Sequence, residues 1–367
     1  MPHCPEIFKN VFINRINNDN VYVAPCCQSR GHSIRTNAFD FKHDKHLTYL
    51  RNEFLSGKKP KECDSCWKVE NVGHKSRRQS AIEYHNNKKD TKVNLESIDF
   101  NVTWACNLAC IMCGPECSST WAKELGIDAD RRISLGVSQR NSNNIIDNIT
   151  FENVKKVHFN GGEPFINNDH FKFLKSLKTQ KSLGDVLLSY NTNGTFFPSE
   201  SIVDLWQEVN LVKIFFSIDA THDAFNYIRY PANWEFVEEN MLKMKEKLPS
   251  NVVFGINATV GCYNLFEILD VKKWFDRYLS TNKEGDLSDF NWQIANNFHP
   301  KNLTKDIRND ISSHLENDNV LKNISFLLKN DDISDINYQW IDNLDEIDKR
   351  RGTDWKKSLK IGNYFKI

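Results

Sequence analysis

The chain has 367 residues, enough for a sizeable core and roughly two domains. Lys plus Arg and Asp plus Glu stand at 48 each, so the formal net charge is zero, and the global basic field of a nucleic-acid binder is not expected. Aromatic residues reach 12%, which argues against disorder, and the absence of an apolar run of about 18 residues argues against a membrane span.

The opening Met1-Pro2-His3-Cys4-Pro5-Glu6 has no basic segment followed by an apolar one, so no secretory leader is expected. Phe8 to Ile13 and Val21 to Ala24 are short apolar runs around Asn17-Asn18-Asp19-Asn20, the pattern of a hairpin. Pro25-Cys26-Cys27 follows, then a predicted helix from about Leu47 to Leu55, then Pro60-Lys61-Glu62-Cys63-Asp64-Ser65-Cys66-Trp67. A C-x2-C pair on a turn plus an upstream Cys is a common start to a four-thiolate site, and Cys4 can complete it. Zinc and an iron–sulfur cluster look alike at this level. Period-two alternation from Tyr22 favours Cys26 over Cys27 as the ligand. The basic stretch holding Lys75-Ser76-Arg77-Arg78 and Lys88-Lys89 is expected as a solvated connector.

From about residue 96 apolar runs alternate with helix-length amphipathic stretches. Strands are predicted at Ile98 to Trp104, Val154 to Asn160, Asp185 to Tyr190, Leu211 to Ile218, Val252 to Val260 and Phe290 to Ala295. Helices are predicted near Ser118 to Leu125, His170 to Lys178, Ser199 to Val209, Trp234 to Lys247 and Leu265 to Leu279. Alternation of this kind indicates a parallel sheet with right-handed crossovers, and six repeats indicate an incomplete barrel. Beyond about residue 300 the pattern is helical and polar. Asp342 to Arg351 is expected as a solvated, charge-rich helix face.

In parallel barrels the chemistry gathers at the C-terminal strand ends. The first predicted strand runs into Cys106-Asn107-Leu108-Ala109-Cys110-Ile111-Met112-Cys113, a C-x3-C-x2-C spacing. Three thiolates leave a metal centre one open position, where four would close it. Cys117 is a possible fourth. The second strand ends in Gly161-Gly162-Glu163-Pro164, the third in Asn191-Thr192-Asn193-Gly194, and the fourth in Ser217-Ile218-Asp219, with Arg229 ten residues later. The fifth carries Asn257 and Thr259. Nine of the ten Cys precede residue 118, a distribution that reads as metal ligation in a reducing, cytoplasmic setting rather than as disulfides.

These motifs together resemble radical S-adenosylmethionine (SAM) enzymes, whose cluster loop holds a [4Fe–4S] cluster on three Cys while the fourth iron takes SAM. The resemblance implies a partial (βα)6 TIM-like barrel over residues 91–300, with cluster ligands Cys106, Cys110 and Cys113. It implies SAM contacts from Gly161, Gly162, Glu163, Asn193, Ser217, Asp219 and Arg229, with Met112 where many relatives place an aromatic against adenine. Residues 1–90 resemble the Cys-rich SPASM/twitch module, here ahead of the barrel. That implies a second, auxiliary [4Fe–4S] cluster on Cys4, Cys26, Cys63 and Cys66, with zinc as the alternative. Residues 301–367 are expected as a C-terminal helical extension. The implied activity is reductive SAM cleavage to a 5′-deoxyadenosyl radical that abstracts a hydrogen atom from a peptide or protein, or else from a small molecule such as a sugar or cyclitol. The implied electron donor is a flavodoxin or ferredoxin. Cys117, Cys262 and Tyr190 are radical-relay candidates by position only. A reading of another class is a non-catalytic zinc-binding interaction module or an electron-transfer protein.

Overall fold

The computed structural model describes residues 2–15, 20–35, 38–71, 75–86, 88–127, 149–166, 169–280, 290–330 and 336–365. The chain forms two compact units. The first comprises Met1–Ala105, Gly126–Tyr190 and Glu200–Val212, and the second Cys106–Leu125, Asn191–Ser199 and Lys213–Ile367.

In the first unit the hairpin forms as expected. Strand β1 (Asn10–Arg15) pairs antiparallel with β2 (Asn20–Ala24); Asn17, Asn18 and Asp19 lie outside the described residues. A third strand, β3 (His32–Arg35), extends the ribbon. The other edge of β1 pairs in parallel with β4 (Ser97–Thr103). The sequence boundary near residue 90 is therefore crossed by a continuous sheet, which runs on through β5 (Lys156–Gly161) and β6 (Leu187–Thr192).

The N-terminal part also carries α1 (Lys45–Leu55), α2 (Asp64–Asn71) and α3 (Arg77–Tyr84), besides a single helical turn at Glu6–Lys9. Asp44 caps α1 by accepting from the Leu47 N–H at 2.9 Å, and Ser76 with Gln79 forms a capping box on α3. Arg51 of α1 is buried and donates to the carbonyls of Ile7, Lys42 and Phe41 at 3.1, 2.9 and 2.7 Å. An unpaired buried carbonyl costs about 1–3 kcal/mol, so this one side chain sets the path of the segment after Cys4.

Strand alternation separates two faces of this sheet. Ile98, Phe100, Val157, Phe159, Leu188 and Tyr190 are buried on one face. Phe173 of helix α5 (Asp169–Gln180) packs against two of these rings, tilted to Phe100 at 5.3 Å and edge-to-face with Phe159 at 5.7 Å. The opposite face carries Asp99, Asn101, His158, Asn160 and Ser189, in lateral register across three strands.

The second unit takes the rest. The short α4 (Ser119–Glu124) follows the cysteine loop. Strands β7 (Leu211–Phe216), which begins in the first unit, β8 (Val252–Val260) and β9 (Phe290–Ile294) follow; β8 and β9 pair in parallel. Helix α6 (Glu200–Trp206), in the first unit, leads into β7. Helix α7 (His222–Ile228), not expected from the sequence, follows β7. Helices α8 (Trp234–Lys247) and α9 (Ile268–Tyr278) supply the core, with Trp234 edge-on to Trp274 at 5.2 Å. The extension is helical: α10 (Lys305–Leu315), α11 (Lys322–Asn330) and α12 (Gln339–Arg351). The fold is thus mixed α/β on a parallel sheet. Among the described residues the strand order ends at β3 and β9, and the sheet is not closed. Among the described residues no helix is long and apolar enough to cross a membrane.

Glu267 is buried at the start of α9. One carboxyl oxygen accepts from the Lys360 N–H at 2.7 Å, and the other has no hydrogen-bond partner among the described residues. Burial pushes its pKa up to about 7. Because the folded pKa exceeds the unfolded one, its contribution to stability is fully present below about pH 4.5 and is lost as pH rises through about 7. Glu267→Gln is expected to flatten a decline on the order of 2–3 kcal/mol in unfolding free energy between pH 4.5 and 7.5, measured by urea titration at stepped pH. An equally steep decline in the variant would refute the assignment.

Candidate functional site

The loop from Cys106 to Cys117 has no regular structure, and its form comes from side chains of α4. The Cys106 carbonyl accepts from Ser119 Oγ at 3.0 Å and Thr120 Oγ1 at 2.7 Å. The Cys106 N–H donates back to Ser119 Oγ at 3.1 Å. Ser118 caps α4 and also donates to the Leu108 carbonyl. Trp121 Nε1 donates to the Cys110 carbonyl at 2.7 Å. On the far side, the Ala109 and Ile111 N–H groups donate to the carbonyls of Tyr230 and Ile228 at 2.7 and 3.0 Å.

Cys110 is buried, Cys106 half-buried, and Cys113 and Cys117 exposed. Arg229 Nη1 lies 3.7 Å from Cys110 Sγ, and Asn193 Nδ2 lies 3.9 Å from Cys106 Sγ and 3.0 Å from Asn107 Oδ1. The Cys113 thiol is a neighbour that favours the Cys110 thiolate. That neighbour, with Arg229, draws Cys110 down to about 7 against the effect of burial. A thiolate there has donors already aimed at it, which suits a soft metal centre.

Arg229 also pairs with a carboxylate of its own unit. Its Nε and Nη2 lie 2.7 and 2.6 Å from Asp219 Oδ2, and Asp219 Oδ1 accepts from the Thr259 N–H at 2.6 Å. Asp219 is fully buried. Burial pushes its carboxyl up and Arg229 opposes that shift; the carboxylate in turn raises Arg229 despite the guanidinium's own burial. The Nε and Nη2 edge of Arg229 therefore faces Asp219, and Nη1 faces the cysteine loop. Both Asp219 oxygens are thus engaged, Oδ2 by Arg229 and Oδ1 by the Thr259 N–H.

Of the other candidates in this unit, Asn193 is buried and Met112 half-buried. Ser217 donates its N–H to the Thr192 carbonyl at 2.8 Å. Gly194, at φ +77°, has its carbonyl fixed by Asn240 Nδ2 at 2.6 Å.

In the first unit the two glycines have a packing reason. A Cβ on Gly161 would stand 2.3 Å from the Thr103 carbonyl oxygen, and one on Gly162 2.2 Å from that of Ala105. Gly161 also sits at φ +125°. The β5 end is pressed against the β4 end: the Gly162 and Glu163 N–H groups donate to the Thr103 and Ala105 carbonyls at 2.6 and 2.8 Å. Glu163 is buried, and its Oε1 accepts from the Phe165 N–H at 3.1 Å.

Cys4, Cys26, Cys63 and Cys66 line one cavity of the first unit, together with Arg77 and Arg78. Cys27 is exposed, with Arg77 Nη1 3.5 Å from its sulfur. Burial raises the Cys4, Cys26 and Cys63 thiols, Cys63 to about 11. Such thiols stay protonated until a metal displaces the proton. Among the described residues no three His, Cys, Asp or Glu side chains converge on a single ion; a cubane asks instead that each thiolate reach its own iron. The arginines expected on a solvated connector are in fact tied down. Arg77 pairs with Glu6 and Asp99 at 3.0 and 2.6 Å. Arg78 pairs with Glu70 at 2.7 Å and covers the Trp67 ring.

Sequence reading did not find the polar strand face. His158 Nδ1 lies 2.7 Å from Ser189 Oγ, and burial lowers the imidazole to about 4, so it stays neutral. Arg77 neutralises Asp99. The i, i+2 spacing of Asp99 and Asn101, and of His158 and Asn160, was the available signal.

Residues 100–272 match the family model of the radical SAM superfamily. The chain is 24% identical over 149 residues to GTP 3',8-cyclase of Campylobacter lari, covering 41% of this chain and 40% of that one. The chain thus matches well under half the length of that curated relative. Among solved structures it is similar to native anSMEcpe with bound AdoMet, with TM-score 0.42, 18% identity, and 60% of this chain against 59% of that one. Streptococcus suis SuiB matches with TM-score 0.35 and 13% identity over 77% of this chain and 70% of that one. Residues 100–272 thus carry a radical SAM domain.

Proposed function

We propose that the protein is a radical SAM enzyme whose catalytic cluster sits on Cys106, Cys110 and Cys113. The observation that carries this is the loop itself: three cysteines within the matched family region, with Asn193 and Arg229 donors turned toward two of their sulfurs. A [4Fe–4S] cluster bound there supplies one electron for reductive cleavage of SAM. This chain's residues do the rest. Asn193 and Arg229 stabilise thiolate charge, Asp219 holds Arg229 in place, and Trp121 and Ser119 fix the loop backbone. Gly161, Gly162 and Glu163 carry the SAM contact by resemblance, and Met112 an apolar contact to adenine.

For the substrate, a peptide or protein is the first reading, from the likeness of residues 1–90 to the SPASM/twitch module, whose bearers often modify peptides. The strand face bearing Asn101, His158, Asn160 and Ser189 supports a neutral, hydrogen-bonding substrate group, which also suits a sugar or cyclitol. Cys4, Cys26, Cys63 and Cys66 hold the proposed auxiliary cluster.

The test is anaerobic reconstitution with iron and sulfide, followed by SAM and dithionite. The expected result is a brown protein with about eight irons per chain that forms 5′-deoxyadenosine. A colourless protein holding zinc would sink the reading, and a brown one that never cleaves SAM would favour an electron-transfer protein. In the same assay Cys26→Ala is expected to lose about four irons, whereas Cys27→Ala keeps them. Equal loss in both variants would overturn the choice of ligand.

A further inference from the structure

The last residue of α12 departs from the solvated, charge-rich face expected there. Arg351 has a side chain only 3% exposed. Its Nε lies 3.1 and 3.2 Å from the two Glu124 carboxylate oxygens, and its Nη2 lies 3.1 Å from Glu124 Oε2. The same Nη2 donates to the Ala109 carbonyl at 2.7 Å. The guanidinium lies 4.6 Å from the ring centres of both Trp121 and Tyr230.

Every one of these partners belongs to the cysteine loop or is bonded to it. Glu124 and Trp121 are on α4, and Trp121 holds the Cys110 carbonyl. The Tyr230 carbonyl receives the Ala109 N–H. The two peptides flanking Ala109 are thereby gripped on both sides, immediately before the buried thiol of Cys110. A planar fork that faces a carboxylate and a carbonyl while two rings cover it is a geometry that an ammonium does not reproduce.

We infer that Arg351 is a positioning residue for the cluster-binding loop, a lock supplied by the C-terminal extension from outside the matched family region. The inference rests on the reading of that loop as the cluster loop, but its test needs no cluster. Full-length, cluster-free protein is alkylated with iodoacetamide under native conditions, and labelling is resolved cysteine by cysteine by mass spectrometry. Cys262 is the internal control: it is buried in the same unit, and its thiol donates to the His299 carbonyl at 3.0 Å.

In Arg351→Ala the labelling rate of Cys110 is expected to rise at least about tenfold, as loss of charge-assisted hydrogen bonds predicts, while that of Cys262 stays unchanged. Glu124→Gln is expected to give a smaller rise at Cys110 alone. An unchanged Cys110 rate in Arg351→Ala overturns the inference. So does a parallel rise at Cys110 and Cys262, which would make Arg351 a general stabiliser of the unit. Failure of the cluster reading appears separately, as absence of iron binding in the wild type.

Discussion

Replacing Cys106, Cys110 and Cys113 together by Ala is expected to remove about four of about eight irons and all 5′-deoxyadenosine formation, with the remaining iron unaffected. The reason is structural as well as chemical. The four-cysteine cavity of Cys4, Cys26, Cys63 and Cys66 lies within the first unit, and the cysteine loop lies within the second. Neither set of thiols borrows a member from the other. Metal analysis with visible and EPR spectra of the reconstituted variant checks the result. Unchanged iron would contradict the ligand assignment, and loss of all iron would mean that the two sets do not load independently.

The second large effect is expected at Arg229. The pair with Asp219 is buried on both sides, with side chains 9% and 0% exposed. Removing one member of a buried pair strands the other charge and costs about 3–5 kcal/mol. Arg229→Ala is expected to lower the unfolding free energy by that amount, measured by urea denaturation of the cluster-free protein. Asp219→Asn in the same chain is expected to recover much of the loss, because the stranded carboxylate is then gone. An Arg229→Ala variant within about 1 kcal/mol of wild type would show the pair to be energetically idle. SAM cleavage by the double variant is expected to stay impaired even where stability returns, since the donor to Cys110 is absent in both.

Much of the fold could be read from periodicity. Strand β8 and helix α8 lie where the apolar pattern put them, because β8 is a nine-residue, largely apolar run and α8 a fourteen-residue helix whose buried residues recur at helical spacing. What escaped was short or was decided by partners far away in the chain. Strand β3, with its half-exposed and exposed residues, has no apolar signature. Helix α7 occupies a segment read only as the approach to Arg229. The motif residues were found by type, while their contacts with one another were not read. Nothing in the spacing of Asp219 and Arg229 says that they satisfy each other, because that depends on how α7 returns toward the end of β7. Arg77 and Arg351 looked like surface cations. Each is instead anchored by carboxylates distant in sequence, Asp99 and Glu124, a pairing that local charge patterning does not register.

The grip of Arg351 on Ala109 spans 242 residues. During synthesis the three cysteines emerge long before α12 does, and until then the loop has its α4 contacts but lacks Arg351. If Arg351 locks the loop as proposed, a ribosome-bound chain would carry its thiols less firmly held than the finished protein does. Timing would then become part of how a cofactor is acquired.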